Sequence, residues 1–477
     1  MMDRIFQEAE KGYTPQEAVA EAYRCIKCQD APCNKGCPAG IDVAKFIRHI
    51  ANKNFGGAIR VIREDNILPG TCARICPQRE LCEGKCSSTE LAQTIRIGKL
   101  QRFVADYERE KGAKLLGKRE PTGLSVAVVG GGPAGLSAAT TLARLGYHVD
   151  LFDANPLPGG LLSHAIPPYR LPYAVVKDEI EYIEALGVRI HHDSFIQDAP
   201  GLLGKYEAVF VGIGASEPNR LAVEGEDLRG AIQGLELLRE INLAQIEDRT
   251  VRFQVGRRVE LIGGGNTVMD AAVSTRRLGA QEVTVRYRRS EQEMPAWRDE
   301  IEFAQEEGVN LEFLCTPKRF LGENGKVRSI EYVRMKLGEK DVSDRPRPMP
   351  IEGSEFIVET DTVIIAVGQN IRRGFLEGAE KTSQGWIRVD EETMATSIEG
   401  IYSGGDAVNG GDTVVRAVGD GKRAAFAMDE YIRKKQESGV GDQESGAKGQ
   451  GSEFRGRGAG IRGQKSGVRS QNEKAMT

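Results

Sequence analysis

Val126-Ala-Val-Val-Gly130-Gly-Gly132-Pro133-Ala134-Gly135 is the stretch on which the fold turns. A β-branched run, then G-x-G-x-x-G, then small apolar residues reads as strand, tight turn and helix. Gly130 permits the turn, Gly132 lets a pyrophosphate approach the backbone, and Gly135 lets the helix pack on the strand. The free N–H groups that open such a helix suit phosphate. Leu151-Phe-Asp153 ends the next strand with a carboxylate at the spacing that suits ribose hydroxyls.

The design repeats at Val259-Glu-Leu-Ile-Gly263-Gly264-Gly265-Asn266-Thr267-Val268, where Val268 replaces the third glycine. Its next strand ends Tyr287-Arg288-Arg289-Ser290. With Val283 aligned on Val149, Tyr287 takes the place of Asp153 and two arginines follow. A missing carboxylate and paired guanidinium groups suit a ribose 2′-phosphate, which favours NADP(H) over NAD(H). The competing reading makes Arg286–Arg289 a solvated basic strand end.

Further β-branched runs at Val209–Ile213 and Thr362–Val367 alternate with helical stretches, as in parallel α/β sheets. Two nucleotide-type starts imply two dinucleotide domains. Ser125–Ala143 carries no charge and approaches bilayer-spanning length. Its glycines and Pro133 fit strand, turn and helix far better, so no membrane span is expected.

Ahead of these turns, residues from about 13 to 115 read as helical. Asp42–His49, Phe55–Arg63 and Leu100–Tyr107 place apolar residues on one face. They frame eight of the nine cysteines, as Cys25-x2-Cys28-x4-Cys33-x3-Cys37-Pro and Cys72-x3-Cys76-Pro-x4-Cys82-x3-Cys86. The first run is close to the bacterial ferredoxin spacing, with x4 in place of x2 in the middle. One loop can wrap three irons of a cubane while the cysteine beside proline turns to another cluster. Eight thiols would serve the eight sites of two [4Fe–4S] clusters. Structural zinc is the competing reading. Only one C-x2-C occurs and both halves carry Cys-Pro, which favours clusters.

Clustered cysteines behind a polar, charged start (Met1–Gly12) point to metal rather than disulfides, and to the cytoplasm. Cys315 stands apart and reads as a buried small residue. A net charge of -4 gives no pull toward nucleic acid or membrane. Lys434–Thr477 is rich in Gly, Ser, Gln, Lys and Arg and reads as disordered. Phe454-Arg-Gly-Arg-Gly is a weak match to RNA-binding tails, outweighed by an inert tail.

Other segments join these. They are Gly159-Gly-Leu-Leu, Ile166-Pro-Pro-Tyr-Arg-Leu-Pro, Tyr287-Arg-Arg-Ser-Glu-Gln-Glu-Met-Pro-Ala, Thr362-Val-Ile-Ile-Ala-Val-Gly-Gln and Gly400-Ile-Tyr-Ser-Gly-Gly-Asp. With the cysteine block, the chain resembles the small, NADPH-oxidising chain of glutamate synthase over residues 20–432. Sulfide dehydrogenase, the large subunit of NADH-dependent ferredoxin:NADP oxidoreductase and the N-terminal half of dihydropyrimidine dehydrogenase share the pattern.

The resemblance implies an α/β chain: a helical N-terminal iron–sulfur domain, then two Rossmann-like dinucleotide-binding domains, the NADP domain inserted in the FAD domain. The implied bounds are 1–118 for the clusters, 119–235 and 367–433 for FAD, 236–366 for NADP(H) and 434–477 for the tail. It implies FAD against Gly130, Gly132, Pro133, Ala134, Gly135, Asp153, Gly160, Leu161, Arg170, Gly405, Asp406, Thr413 and Val414. It implies NADP(H) against Gly263, Gly264, Gly265, Asn266, Thr267, Arg288, Arg289, Val367 and Gly368. One cluster would take Cys25, Cys28, Cys33 and Cys86. The other would take Cys37, Cys76, Cys82 and Gln101, leaving Cys72 a bystander.

Two departures count against electron bifurcation. Gln101 stands where bifurcating relatives usually carry Glu, and the segment Ser163-His164-Ala165-Ile-Pro replaces a usual aromatic-Gly-Ile-Pro beside the flavin; a packing role is favoured for His164. The implied activity passes electrons from NADPH through FAD and two [4Fe–4S] clusters to an electron-accepting partner subunit, in a hetero-oligomer. That partner is a glutamate synthase large chain or a ferredoxin-linked flavoprotein. A ferredoxin- or sulfide/polysulfide-linked NADP oxidoreductase is the alternative. A cofactor-holding structural subunit with an idle NADP site is the reading of another class; the intact glycines and Arg288-Arg289 count against it. Hydride transfer needs no acid–base dyad, and no catalytic residue is assigned.

Overall fold

Apolar residues at helical spacing build the front of the chain. The computed structural model describes residues 5–91, 93–112, 114–340, 345–372 and 374–446. Helix α1 (Pro15–Tyr23) opens on a capping box between Thr14 and Glu17, and α2 (Val43–Ala51) on the Asp42 side chain. Helices α3 (Phe55–Asp65), α4 (Pro69–Ile75) and α5 (Ile97–Lys111) complete the layer. Their inward faces meet in one core that includes Phe46, Ile47, Ile50, Ile62, Leu100 and Val104. Cys25, Cys28, Cys33 and Cys37 lie between α1 and α2, Cys72 lies in α4, and Cys76, Cys82 and Cys86 fall between α4 and α5.

The first α/β layer follows: β1 (Ser125–Val129), α6 (Pro133–Arg144), β2 (His148–Phe152), α7 (Tyr173–Ala185), β3 (Arg189–His191) and β4 (Val209–Val211). The second holds β5 (Ala231–Gln233), α8 (Gly234–Ile246), β6 (Arg258–Gly263), α9 (Asn266–Arg277), β7 (Glu282–Tyr287), α10 (Arg298–Glu306) and β8 (Asn310–Phe313). An antiparallel meander then runs through β9 (Cys315–Glu323), β10 (Lys326–Lys340), β11 (Pro346–Pro350) and β12 (Phe356–Glu359). After it come β13 (Thr362–Ala366), β14 (Ile401–Ser403) and α11 (Val414–Gly446).

The two parallel sheets each have five strands, ordered β14-β4-β1-β2-β3 and β5-β13-β6-β7-β8. Because β14 returns to pair with β4, the second sheet is an insertion in the first. The two crossings between sheets pair with each other, Glu217–Pro218 antiparallel to Gln369–Asn370. The interiors of both sheets are β-branched and buried on both faces, as helix-covered parallel strands require.

Three differences from the sequence reading stand out. Strand β5 joins the second sheet through β13, so that layer begins at Ala231, ahead of the expected 236. The meander from Cys315 to Glu359 has no counterpart in the sequence pattern; its strands carry charges on their exposed faces and lack a continuous apolar run. Arg433–Thr477 forms a unit of its own. In it the helix persists to Gly446, past the expected boundary of disorder at Lys434. A helix already nucleated extends at little cost through Lys434, Lys435, Gln436 and Glu437. The rest of the expected disordered tail, with Phe454, lies outside the described residues. No helix among the described residues is long and apolar enough to cross a membrane.

Candidate cofactor sites

All nine cysteines are free, and eight gather in two groups. Cys25, Cys28, Cys33 and Cys86 line one cavity, walled by Ala31, Pro32, Ile47 and Ile95. Burial, with Cys86 and Cys25 close by, pushes the Cys33 thiol up to about 11. Around Cys76 stand Cys72, which hydrogen-bonds to it, and then Cys82 and Cys37. Cys76 is raised first by that hydrogen bond and next by burial, and Cys82 is raised chiefly by burial. Thiols held protonated in an apolar pocket ionise when metal binds and displaces the proton.

No three His, Cys, Asp or Glu side chains among the described residues converge on a single ion. Tetrahedral zinc needs sulfurs about 2.3 Å from one centre. Four thiols around one pocket are the donor set that an iron–sulfur group takes.

Gln101 faces this second group's helix. It is buried, and its Nε2 donates to the Pro69 carbonyl at 2.8 Å. Cys72, expected to be a bystander, is buried and lies against Cys76.

At the first glycine turn Gly130 has φ +100, and a Cβ there would stand 2.4 Å from the Gly212 carbonyl oxygen. Only glycine fits that conformation at that approach. Gly132, which caps α6, has open space: its nearest neighbour would be 4.0 Å from a Cβ. Gly160 and Gly405 border the same turn, within 3.0 Å of Gly132 Cα and 3.2 Å of Ala134 Cβ by the same measure. The turn, the Gly160–Leu161 segment and the Gly405–Asp406 segment thus converge, and Thr413 and Val414 lead from there into α11. Asp153 is buried; its Oδ2 accepts the Gly131 N–H at 2.7 Å and its Oδ1 the Asn155 N–H at 2.8 Å. It therefore organises the turn, whichever hydroxyls it also meets.

The second turn is built alike. Gly263 has φ +150, and its Cβ would stand 2.2 Å from the Ala366 carbonyl oxygen, where β13 leads to Val367 and Gly368. At Gly265 a Cβ would meet nothing within 4 Å. Asn266 Oδ1 accepts the Trp297 N–H at 2.9 Å, and the Gly264 carbonyl accepts the Ala296 N–H at 2.9 Å. The loop after β7 is thereby folded over the turn. Over Gly264, where the first turn has Asp153, lies the ring of Tyr287.

The two arginines part company. Arg288 is exposed at the strand end, whereas Arg289 is buried and its Nε donates to the Pro346 carbonyl at 2.9 Å. Alternation carried the signal. Val283, Val285 and Tyr287 all point inward, and Arg289 shares their face. Of the two arginines expected to meet a phosphate, Arg288 is thus the one turned to the surface and Arg289 the one turned inward.

Arg170, expected near the flavin, is held by two carboxylates. Its Nη1 meets both oxygens of Asp270 at 2.9 and 2.8 Å, and its Nη2 meets Glu300. His164 is buried, with Nε2 on the Leu157 carbonyl at 3.0 Å and Nδ1 without a partner. Burial, then Arg239, lowers its pKa, and its surroundings are those of packing. Cys315 is buried at the head of β9 beside Arg286.

Two glycine turns with open phosphate approaches, on paired parallel sheets behind a thiol-lined front, define an oxidoreductase of dinucleotides with an iron–sulfur segment. Residues 2–113 match the family described as dihydropyrimidine dehydrogenase domain II, 4Fe-4S cluster, and residues 124–421 match pyridine nucleotide-disulphide oxidoreductase. The glutamate synthase [NADPH] small chain of Escherichia coli is 34% identical over 90% of this chain and 94% of its own length. The NADP(+)-dependent formate dehydrogenase subunit beta of Moorella thermoacetica is 40% identical over 85% of this chain, which spans 60% of that protein. The Mycobacterium tuberculosis FprA structure in complex with NADPH shares the fold, with TM-score 0.55 and 21% identity over 69% of this chain and 86% of that one. The chain belongs to the pyridine nucleotide-disulphide oxidoreductase family, in its glutamate synthase small-chain group.

Proposed function

We propose that this chain takes electrons from NADPH and delivers them through FAD and two [4Fe–4S] clusters to a partner protein, as a glutamate synthase small chain does. The observation that carries the reading is the meeting of Cys25, Cys28 and Cys33 with Cys86 around one cavity, from segments far apart in sequence. Such a gathering has a use for an electron carrier and none for nucleotide binding alone.

The chain's own residues bind and orient. The N–H groups that open α9 at Gly265 face the space left for a pyrophosphate, and those that open α6 at Gly132 do the same at the first turn. Tyr287 over Gly264 withholds the carboxylate that would favour an unphosphorylated ribose, and Arg288 offers a cation there. Cys25, Cys28, Cys33 and Cys86 would hold one cluster; Cys37, Cys76, Cys82 and Gln101 would hold the other. The flavin, when bound, supplies the conversion of a two-electron donor into one-electron steps.

Anaerobic addition of NADPH to the purified protein tests this. Bleaching of the flavin band followed by cluster signals in EPR is the expected result. No bleaching would leave only the cofactor-holding scaffold, and zinc in place of iron on metal analysis would remove the electron path. The partner that co-purifies separates a glutamate synthase large chain from a ferredoxin- or sulfur-linked acceptor.

A further inference from the structure

Glu179 belongs to α7 of the first dinucleotide domain, yet its carboxylate is bonded into the helical front. Its Oε1 accepts the N–H groups of Gly70 at 2.7 Å and Thr71 at 3.1 Å, and its Oε2 accepts the Thr71 hydroxyl at 2.5 Å. Glu179 is 3% exposed and Thr71 is wholly buried. The fit is close: a Cβ on Gly70 would stand 3.0 Å from Val175 Cγ1 and 3.2 Å from Glu179 Oε1. Three donors offset part of the desolvation of a buried carboxylate, but packing alone needs no carboxylate there.

The turn that Glu179 grips has a second role. Pro69, the residue before Gly70, offers its carbonyl to Gln101 Nε2 at 2.8 Å. A carbonyl only accepts, so the amide nitrogen must face Pro69 and the amide oxygen must face the other way. Immediately after Thr71 come Cys72 and, at the end of α4, Cys76.

We propose that Glu179 is a positioning residue for the second cysteine group. It holds the Pro69–Thr71 turn, and the turn fixes both the start of the cysteine helix and the direction of the Gln101 amide oxygen. The proposal rests on the two-cluster reading above. It ties helix α7 of the first dinucleotide layer to one cluster and not to the other, because the cavity lined by Cys25, Cys28, Cys33 and Cys86 touches neither Glu179 nor the Pro69–Thr71 turn.

Redox titration of the holoenzyme followed by EPR tests it, with Glu179→Ala, Glu179→Gln, Gln101→Ala and the Glu179→Ala/Gln101→Ala pair. Glu179→Ala is expected to shift the g-values and midpoint potential of one cluster, the one that Gln101→Ala also alters. The other cluster and the flavin should stay as in the parent. The double variant should shift by less than the sum of the two single variants, since part of the effect of Glu179 passes through Gln101. Glu179→Gln keeps an acceptor for the two N–H groups and should restore the g-values. Thr71→Val, which removes a single bond, gives a milder form of the shift should Glu179→Ala fail to fold. A parent with two clusters whose Glu179→Ala and Thr71→Val forms are spectroscopically unchanged overturns the proposal alone. Equal disturbance of both clusters, or additive shifts in the double variant, also overturns it. A parent with no second cluster overturns the functional reading and the proposal with it.

Discussion

Arg170 reaches from the first dinucleotide layer and clamps Asp270 of the second, with its Nη1 2.9 and 2.8 Å from the two carboxylate oxygens. Glu300 takes the other guanidinium nitrogen. Next to it, Tyr169 stacks on Phe6, whose ring belongs to the core of the second layer. Glu8, two residues on, pairs with Arg74 and Arg102 of the helical front. The chain's start and this ion triad therefore seam the helical front and the two dinucleotide layers together.

Removing the cation from that triad leaves two buried carboxylates facing each other. Breaking a buried pair in this way costs roughly 3–5 kcal/mol. Arg170→Ala should accordingly unfold at a clearly lower temperature than the parent in calorimetry of the holoenzyme. An unchanged melting profile would mean that the triad contributes nothing to the seam.

Glu300 also makes stability depend on pH. Burial first, with Asp270 nearby and Arg170 opposing, leaves its carboxyl pushed up to about 7 from 4.5. The folded state therefore binds a proton that the unfolded state has released, and this group's contribution to stability is lost as pH rises from about 4.5 to about 7. Glu300→Gln should flatten that part of a Tm-against-pH curve. Asp270, also raised by burial, keeps its own pH dependence in the variant. Parallel curves for parent and variant would contradict the assignment.

The second glycine turn separates folding from binding. Gly263→Ala places a methyl 2.2 Å from the Ala366 carbonyl oxygen in a left-handed conformation, so it should cost stability outright. Gly265→Ala meets nothing within 4 Å and should fold normally, yet fill the space a pyrophosphate needs. KM for NADPH should rise with Tm unchanged. Equal losses of stability in both variants would remove the case for a phosphate approach at Gly265.

Local sequence carried the two turns, because strand, glycine spacing and helix lie within about a dozen residues of each other. It also carried the cysteines as donors. What it lacked was long-range pairing. Arg170 and Asp270 are 100 residues apart, and Glu179 and Gly70 are 109 apart. No local pattern marks either pair. Arg289 is different, since the alternation of β7 already places it on the buried face.

That division of the arginines can be measured. Arg288→Ala should weaken NADPH by about tenfold or more, from the ~1.5–3 kcal/mol that a hydrogen bond to a charged group contributes, and leave NADH kinetics alone. Arg289→Ala removes the donor from the Pro346 carbonyl and should lower Tm instead. If Arg289→Ala lost NADPH selectivity at full stability, the assignment would be reversed.

Cys72 and Cys76 touch each other, so their variants ask how many thiols hold iron. Under the ligand sets proposed here Cys76 is a ligand and Cys72 is not. Cys76→Ala should lose iron from one cluster. Cys72→Ala trims a buried side chain in α4 and should cost some stability, with the iron-to-protein ratio and both EPR signals retained. Gln101→Ala should match Cys76→Ala in which cluster it disturbs, because both act on the same group. Loss of iron from Cys72→Ala, with Gln101→Ala silent, would show that eight cysteines serve the clusters and that the amide of Gln101 only braces Pro69.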